Sequence, residues 1–332
     1  MERRRLGATD MELSVIGLGT WVFGGRWGGA DDADSLAACH AAIDAGVNWI
    51  DTADIYGQGR AERIVGQAVR ERRDEVIVAT KGGVAWEAPP LRIWREASAG
   101  YLRMACDRSL QALGLDHIDL YQVHWPVEGV PAEETIGALV ELREAGVVRA
   151  IGVSNYGLAD LQATEAAGRI DSFQPGYHVM RRDVEAGELD WCRDHGVGVI
   201  AYGPLAHGLL TGKMSGETTF AAGDWRAESE LFADDAFPQR VAATRELDEL
   251  AREAGREGGV AELAVAWVLR RPEVTSAIVG ARSASQAVAN AALAGRPLAP
   301  DEAAAIEEVL ARYPDAARPY GHGEPPARSP DA

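Results

Sequence analysis

Four side chains able to hold or move a proton stand at or just beyond the ends of short apolar runs early in the chain. Asp51 closes the run Val47–Ile50, Lys81 ends Glu75–Ala79 through Thr80, and His124 closes Ile118–Val123. Tyr56 follows in the segment Asp51-Thr52-Ala53-Asp54-Ile55-Tyr56-Gly57, whose glycine suggests a tight backbone projecting the phenol over the surface where the runs end. A phenol ordinarily ionises near pH ~10, so donating a proton at neutrality takes several kcal/mol of help. An ammonium about 4 Å away supplies on the order of 4 kcal/mol at an effective dielectric near 20. Lys81 is the candidate for that role, with Asp51 to keep it charged and oriented. His124, beside Trp125-Pro126, is expected in a pocket wall, hydrogen-bonding a bound oxygen or relaying a proton.

Each of these residues taken singly has an ordinary explanation, such as a polar strand end, an anchored tyrosine or a carbonyl-bonded histidine. The pattern, however, repeats along the chain. Arg149–Val153 ends at Ser154-Asn155, Ser172-Phe173 at Gln174, Gly198–Ala201 at Tyr202 and Ser276–Val279 at Gly280. With Leu13–Leu18 these runs make eight strands. Between them Asp34–Ala45, Glu62–Arg72, Ser98–Leu113, Glu133–Ala145, Leu158–Ala167 and Glu185–Asp194 carry apolar residues at helical spacing. Gly46, Gly114, Gly146, Gly168 and Gly196 follow helices as left-handed caps. Continuous apolar strands alternating with helices predict an α/β fold, a (β/α)8 TIM barrel, in which polar residues at strand carboxyl ends converge on one face. A doubly wound sheet would need a Gly-x-Gly-x-x-Gly turn. Gly17-Leu18-Gly19 runs instead into Thr20-Trp21.

Arg4–Leu6 and Leu13–Val15 flank Gly7-Ala8-Thr9-Asp10, which predicts an N-terminal hairpin capping the barrel bottom. Residues 203–238, after the seventh strand, are too irregular for an ordinary connection and read as a long lid. Residues 1–312 are expected to form a single barrel domain and 313–332 a disordered Pro-rich tail. The chain of 332 residues carries 33 Lys and Arg against 51 Asp and Glu, a net charge of −18, which disfavours nucleic acid and anionic membrane as partners. Cys39, Cys106 and Cys192 form no CxxC, and no His/Cys/Asp/Glu spacing suggests a metal. No run approaches the ~18 apolar residues of a membrane span, and no apolar stretch follows the basic N-terminus. A cytoplasmic protein is expected.

The motif Asp51-Thr52-Ala53-Asp54-Ile55-Tyr56-Gly57, Lys81 and His124-Trp125-Pro126 together resemble the catalytic tetrad segments of the aldo-keto reductases. The likeness continues through Gly152-Val153-Ser154-Asn155, Gln174, Tyr202-Gly203-Pro204-Leu205, Leu210-Thr211-Gly212-Lys213 and Gly280-Ala281-Arg282-Ser283, with Gln286 and Asn290. It spans roughly residues 3 to 312. The tryptophan after His124 and the long lid are similar to the bacterial sugar- and inositol-related branch. The resemblance implies that Tyr56 is the general acid protonating a carbonyl while NADPH delivers hydride. Lys81 would lower the phenol's pKa, Asp51 would pair with Lys81, and His124 would orient the carbonyl. It further implies that Ser154, Asn155 and Gln174 hold the nicotinamide carboxamide and that Tyr202 stacks on the ring. Pro204, Leu205 and Lys213 would wrap the pyrophosphate beside Gly280. Arg282 and Ser283 would take the ribose 2′-phosphate, with Gln286 and Asn290 on the adenine. An Arg fork before a helix opening near Ser285 suits a phosphate and favours NADPH.

This sequence departs from the family at Gly203, where many relatives have serine, and at Val127, where an acid is frequent. Trp21, Trp86 and Trp125 are the candidate walls for a small-molecule carbonyl substrate. The leading expectation is an NADPH-dependent reductase of aldehydes, ketones or keto-sugars. A nicotinamide-binding regulatory subunit with vestigial catalysis is the alternative. A lyase using Lys81 as a Schiff base would leave Tyr56 and Arg282-Ser283 without a role.

Overall fold

Runs that are apolar on both faces need covering on both faces, and a barrel wrapped in helices supplies that. In the computed structural model, which describes all residues except 26, 28, 30, 90, 234, 322–324 and 326–332, eight strands close such a barrel. They are β3 (Ile16–Gly19), β4 (Trp49–Asp51), β5 (Ile77–Gly82), β8 (Ile118–Val123), β9 (Val148–Ser154), β10 (Ser172–Gln174), β11 (Gly198–Tyr202) and β12 (Val274–Gly280), and β12 returns to pair with β3. All neighbours are parallel, so every strand ends on the same face. The (β/α)8 barrel expected from the sequence is the fold observed.

The opposite face is closed by β1 (Arg3–Arg5) and β2 (Glu12–Ser14), an antiparallel hairpin with Arg4 opposite Leu13. Leu6, Met11 and Leu13 of this hairpin pack into the barrel interior with Trp49, Ala79, Leu120, Ala150, Ile200 and Ile278. The Trp49 indole fixes the seam by donating to Ser14 O at 3.1 Å and Ser276 Oγ at 3.0 Å.

Helices α1 (Asp32–Asp44), α2 (Arg60–Val69), α3 (Ala99–Leu113), α4 (Ala132–Glu144), α5 (Leu158–Ala167) and α6 (Glu188–His195) alternate with the strands. Asp31 caps α1 by accepting from the N–H groups of Ala33 and Asp34. Between β5 and α3 lies a hairpin that the periodicity did not reveal, β6 (Val84–Glu87) and β7 (Arg92–Arg95). After β11 the segment expected to be irregular holds 3-10 turns at Ala206–Thr211 and Trp225–Glu228 and the short α7 (Glu230–Ala233). There follow α8 (Phe237–Glu253) and α9 (Gly259–Leu269), then β12, α10 (Ala284–Ala292) and α11 (Pro300–Arg312). The tail expected to lack structure instead continues as a 3-10 turn, Pro314–Ala317, and packs as far as Gly321 through hydrogen bonds to α8 and α7. The rest of that tail, apart from Pro325, lies outside the described residues.

Gly7 turns the cap hairpin at φ +52°, and a Cβ there would stand 2.6 Å from Gly196 O and 2.7 Å from Gly198 N, both backbone. Gly7→Ala is therefore expected to cost more than ~1 kcal/mol. Urea unfolding should show a lower midpoint at unchanged slope, and an unchanged midpoint would contradict this packing.

Candidate active site

The parallel register brings Asp51, Lys81, His124, Ser154, Asn155, Gln174, Tyr202 and Gly280 to one face. Lys81 Nζ donates to Asp51 Oδ1 at 2.8 Å, to Asp51 Oδ2 at 2.7 Å and to Thr52 O at 2.9 Å. Both partners are within 4% of complete burial. Burial pushes the Asp51 carboxyl up and the Lys81 amine down, and their mutual contact opposes both shifts. Gln174 Nε2 donates to Asp51 Oδ1 at 2.8 Å. Gln174 thus braces this pair.

Tyr56 follows a short turn from Asp51, and Gly57 beside it holds φ +63°. The Lys81 ammonium lies 5.3 Å from the phenol ring centre, and the His124 ring stands edge-on at 5.8 Å. The sequence reading had Lys81 drawing the phenol down. In this structure the phenol is pushed well above its ordinary value, first by burial and then by the charge of Asp51. The physical reason is burial of the phenol beside the Asp51 carboxylate, while the Lys81 ammonium is taken up by three oxygens of Asp51 and Thr52 and lies over the ring. The proton therefore stays on Tyr56. Burial, and next to it the Lys81 charge, push His124 well below its ordinary value, so its imidazole is neutral.

Around the rim, Tyr202 Oη donates to Asn155 Oδ1 at 2.8 Å, and Asn155 Nδ2 donates to His124 O at 3.0 Å and Ser154 Oγ at 3.1 Å. Ser154 Oγ donates to Gln174 O at 2.8 Å. Asn155 holds φ +61°, a left-handed conformation that is uncommon outside glycine and that this network fixes.

These residues line a cleft of about 880 Å³ that extends from Tyr56 and His124 past Pro204, Leu205 and Lys213 to Gly280, Arg282, Gln286 and Asn290. Trp21 and Trp125 also line it. Trp86 does not. It sits on the β6–β7 hairpin under the Arg108 guanidinium, 4.7 Å from its ring centre, while Leu91 and Ile93 of that hairpin face the cleft. Ser283 faces an adjoining hollow of about 310 Å³ with Arg282, Gln286, Asp31 and Asp34. Its hydroxyl caps α10 by accepting from Gln286 N–H.

Sequence reasoning missed one whole wall of the cleft. Trp27, His207 and Trp225 gather around Trp21, with ring centres 5.2 Å, 5.7 Å and 4.8 Å from it. His207 lines the cleft, and its pKa is pushed down to about 3 by burial and by Arg181 and Arg226. No periodicity marks such residues, since they belong to irregular segments that meet only in the folded chain. Arg226 lies 4.9 Å over the Trp27 ring and is held by Asp224.

Burial also pushes His178 well below its ordinary value, with Arg181 the next cause. For imidazoles depressed on folding, the unfolded chain takes up protons below pH ~6.5 that the folded chain refuses. Stability is then fully present above that pH and falls by about 1.4 kcal/mol per pH unit for each such group on acidification. The urea midpoint should be level from pH 7 to 8 and fall between about pH 6.5 and 5.5. His178→Asn should shallow the fall, and a midpoint flat through that window would contradict the burial of neutral histidines.

Comparison with known proteins agrees with this fold. Residues 15–311 match the aldo/keto reductase family. The aldo-keto reductase YhdN of Bacillus subtilis is 40% identical over 93% of this chain and 94% of its own, and the NADH-specific methylglyoxal reductase of Escherichia coli is 33% identical over 93% and 98%. Among solved structures, the glycerol dehydrogenase AKR11B4 from Gluconobacter oxydans superposes with a TM-score of 0.87 at 36% identity, covering 94% of this chain and 96% of that one. An aldo-keto reductase from Klebsiella pneumoniae in complex with NADPH gives 0.71 at 31% identity, covering 94% and 95%. This chain belongs to the aldo/keto reductase family and is an oxidoreductase.

Proposed function

We propose that this enzyme reduces an aldehyde, ketone or keto-sugar to the alcohol, taking hydride from NADPH, with Tyr56 as the proton donor. The observation that carries the reading is a protonated phenol seated beside the buried Lys81–Asp51 pair, facing neutral His124 at one end of a long cleft. The donor set fits a nicotinamide coenzyme. At the other end of the cleft the Arg282 guanidinium and the Ser283-capped start of α10 offer the charge and N–H groups that phosphates need. When bound, the reduced nicotinamide supplies hydride to the carbonyl carbon.

Tyr56 would give its hydroxyl proton to the carbonyl oxygen as negative charge develops there. Lys81 would balance the phenolate left behind, and Asp51, braced by Gln174, would keep Lys81 from moving. His124, neutral at the same rim, would hydrogen-bond the carbonyl oxygen and set its approach. The Tyr202–Asn155–Ser154 network would fix the nicotinamide by stacking and by amide contacts, and Gln174 would offer its side-chain oxygen to the carboxamide. Pro204, Leu205 and Lys213 would enclose the pyrophosphate, and Gln286 and Asn290 the adenine. The rings of Trp21 and Trp125, with Trp225 and His207 of the 203–238 lid, would form the substrate wall. Methylglyoxal and glycerol, named for two of the relatives, point to small oxygenated compounds as the substrate class.

Tyr56→Phe should lower steady-state reduction of an activated aromatic aldehyde about 10²–10⁴-fold while NADPH still binds. Undiminished turnover would remove Tyr56 from the chemistry. The choice between coenzymes rests on Arg282, opposed by Asp31 and Asp34 across the adjoining hollow. Arg282→Gln should weaken NADPH about tenfold or more and NADH much less, measured as dissociation constants. Equal effects on both coenzymes would place Arg282 away from the 2′-phosphate.

A further inference from the structure

Beyond α11 the chain returns to the cleft. The turn at Pro314–Ala317 docks on α8, where Gln239 Nε2 donates to Asp315 Oδ2 at 2.7 Å and the Asp315 N–H donates to Gln239 Oε1 at 3.2 Å. Arg240 of α8 donates to Arg318 O at 3.2 Å, and Arg318 pairs with Asp235. The Gly321 N–H donates to the Glu230 carboxylate of α7 at 2.7 Å. Between these anchors Tyr320 reaches across to the loop after β10. Its hydroxyl oxygen lies 2.7 Å from Nε2 of buried His178, and its ring lies 5.4 Å from the Arg181 guanidinium carbon and 5.6 Å from that of Arg240. Arg181, Tyr320 and Gly321 all line the cleft.

The residues held by these bonds continue directly into the aromatic wall. Phe237 packs on Phe232 at 6.0 Å between ring centres, Phe232 on Trp225 at 6.5 Å, and Trp225 on Trp21 at 4.8 Å. We propose that residues 313–321 form a strap belonging to the functional site. Tyr320 is a positioning residue that, together with Arg318 paired to Asp235 and Gly321 bonded to Glu230, ties the 203–238 lid to the loop after β10 and so sets how fast the coenzyme leaves. The inference rests on the nicotinamide-coenzyme reading above. Arg181, Tyr320 and Gly321 line the same cleft as the coenzyme-assigned residues, so a coenzyme held there would leave more readily once the strap contacts break. The chemistry at Tyr56 does not depend on those contacts, so release and hydride transfer should separate on mutation.

The test uses the full-length enzyme and follows tryptophan fluorescence on mixing with NADPH and NADH to obtain dissociation rates. Single-turnover reduction at saturating coenzyme is measured alongside. Tyr320→Ala should speed coenzyme dissociation about tenfold while single-turnover reduction stays within about twofold. Tyr320→Phe keeps the ring between the guanidinium groups but loses the bond to His178, and should fall between wild type and Tyr320→Ala. Arg318→Ala removes the ion pair to Asp235 and should move the dissociation rate in the same direction by less, which keeps the test decisive if Tyr320→Ala folds poorly. Unchanged dissociation in folded Tyr320 variants would overturn the strap while leaving the coenzyme reading intact. So would a parallel loss of dissociation control and chemistry. A wild-type enzyme that binds neither coenzyme would overturn both.

Discussion

A lysine and an aspartate buried together beneath the barrel mouth are the constraint on which the site depends. Removing two charges from water is costly, and only close contact with further hydrogen bonds offsets it. Here Asp51 accepts from Lys81 with both oxygens, Thr52 O takes another ammonium proton, and Gln174 reaches across from β10 to the same carboxylate. Asp51 and Lys81 come from the adjacent strands β4 and β5, but Gln174 comes from β10 across the barrel, so the braced pair is complete only when the barrel has closed. The chemistry and the closure of the fold therefore share one interaction.

That pair also sets the electrical state of what lies above it. Burial, reinforced by Asp51, keeps the proton on Tyr56, and burial, reinforced by Lys81, keeps His124 neutral. The result is one proton donor and one uncharged hydrogen-bonding group at the mouth, with Asn155 locked beside them in a left-handed turn. The proposed division of labour follows from these environments. A phenol holding its proton can give it away, and the lysine below can balance the charge left behind.

Much of this was legible in the sequence because the barrel strands are mostly apolar until they end, so Asp51, Lys81, His124, Ser154, Gln174 and Tyr202 stand out where apolar runs stop. The cap hairpin was legible because Gly7 sits between two short runs that fill the barrel bottom. The β6–β7 hairpin was not, since Val84–Glu87 and Arg92–Arg95 carry no sustained alternation. Trp27, His207, Trp225 and Tyr320 were hidden for a different reason. They lie in turns and in the tail, and what makes them part of the cleft is contact between segments far apart in the chain. Trp86 shows the converse. Its residue type suggested a pocket wall, but Arg108 covers it, and the smaller Leu91 and Ile93 face the cleft instead. The direction of the Tyr56 shift was also beyond sequence reasoning, because it depends first on how deeply the folded chain buries the phenol and then on how near it sets Asp51.

The cleft thus joins a proton donor at one end to a phosphate-suited end at the other, under a wall contributed by the segment after β11. The most direct test of the Tyr56 assignment is the pH dependence of single-turnover carbonyl reduction. A plateau through neutrality, falling only on the alkaline side where a phenol ionises, is the predicted result, with that limb absent from the residual rate of Tyr56→Phe. A limb centred near the ordinary histidine value of about 6.5 that persists in Tyr56→Phe would contradict it.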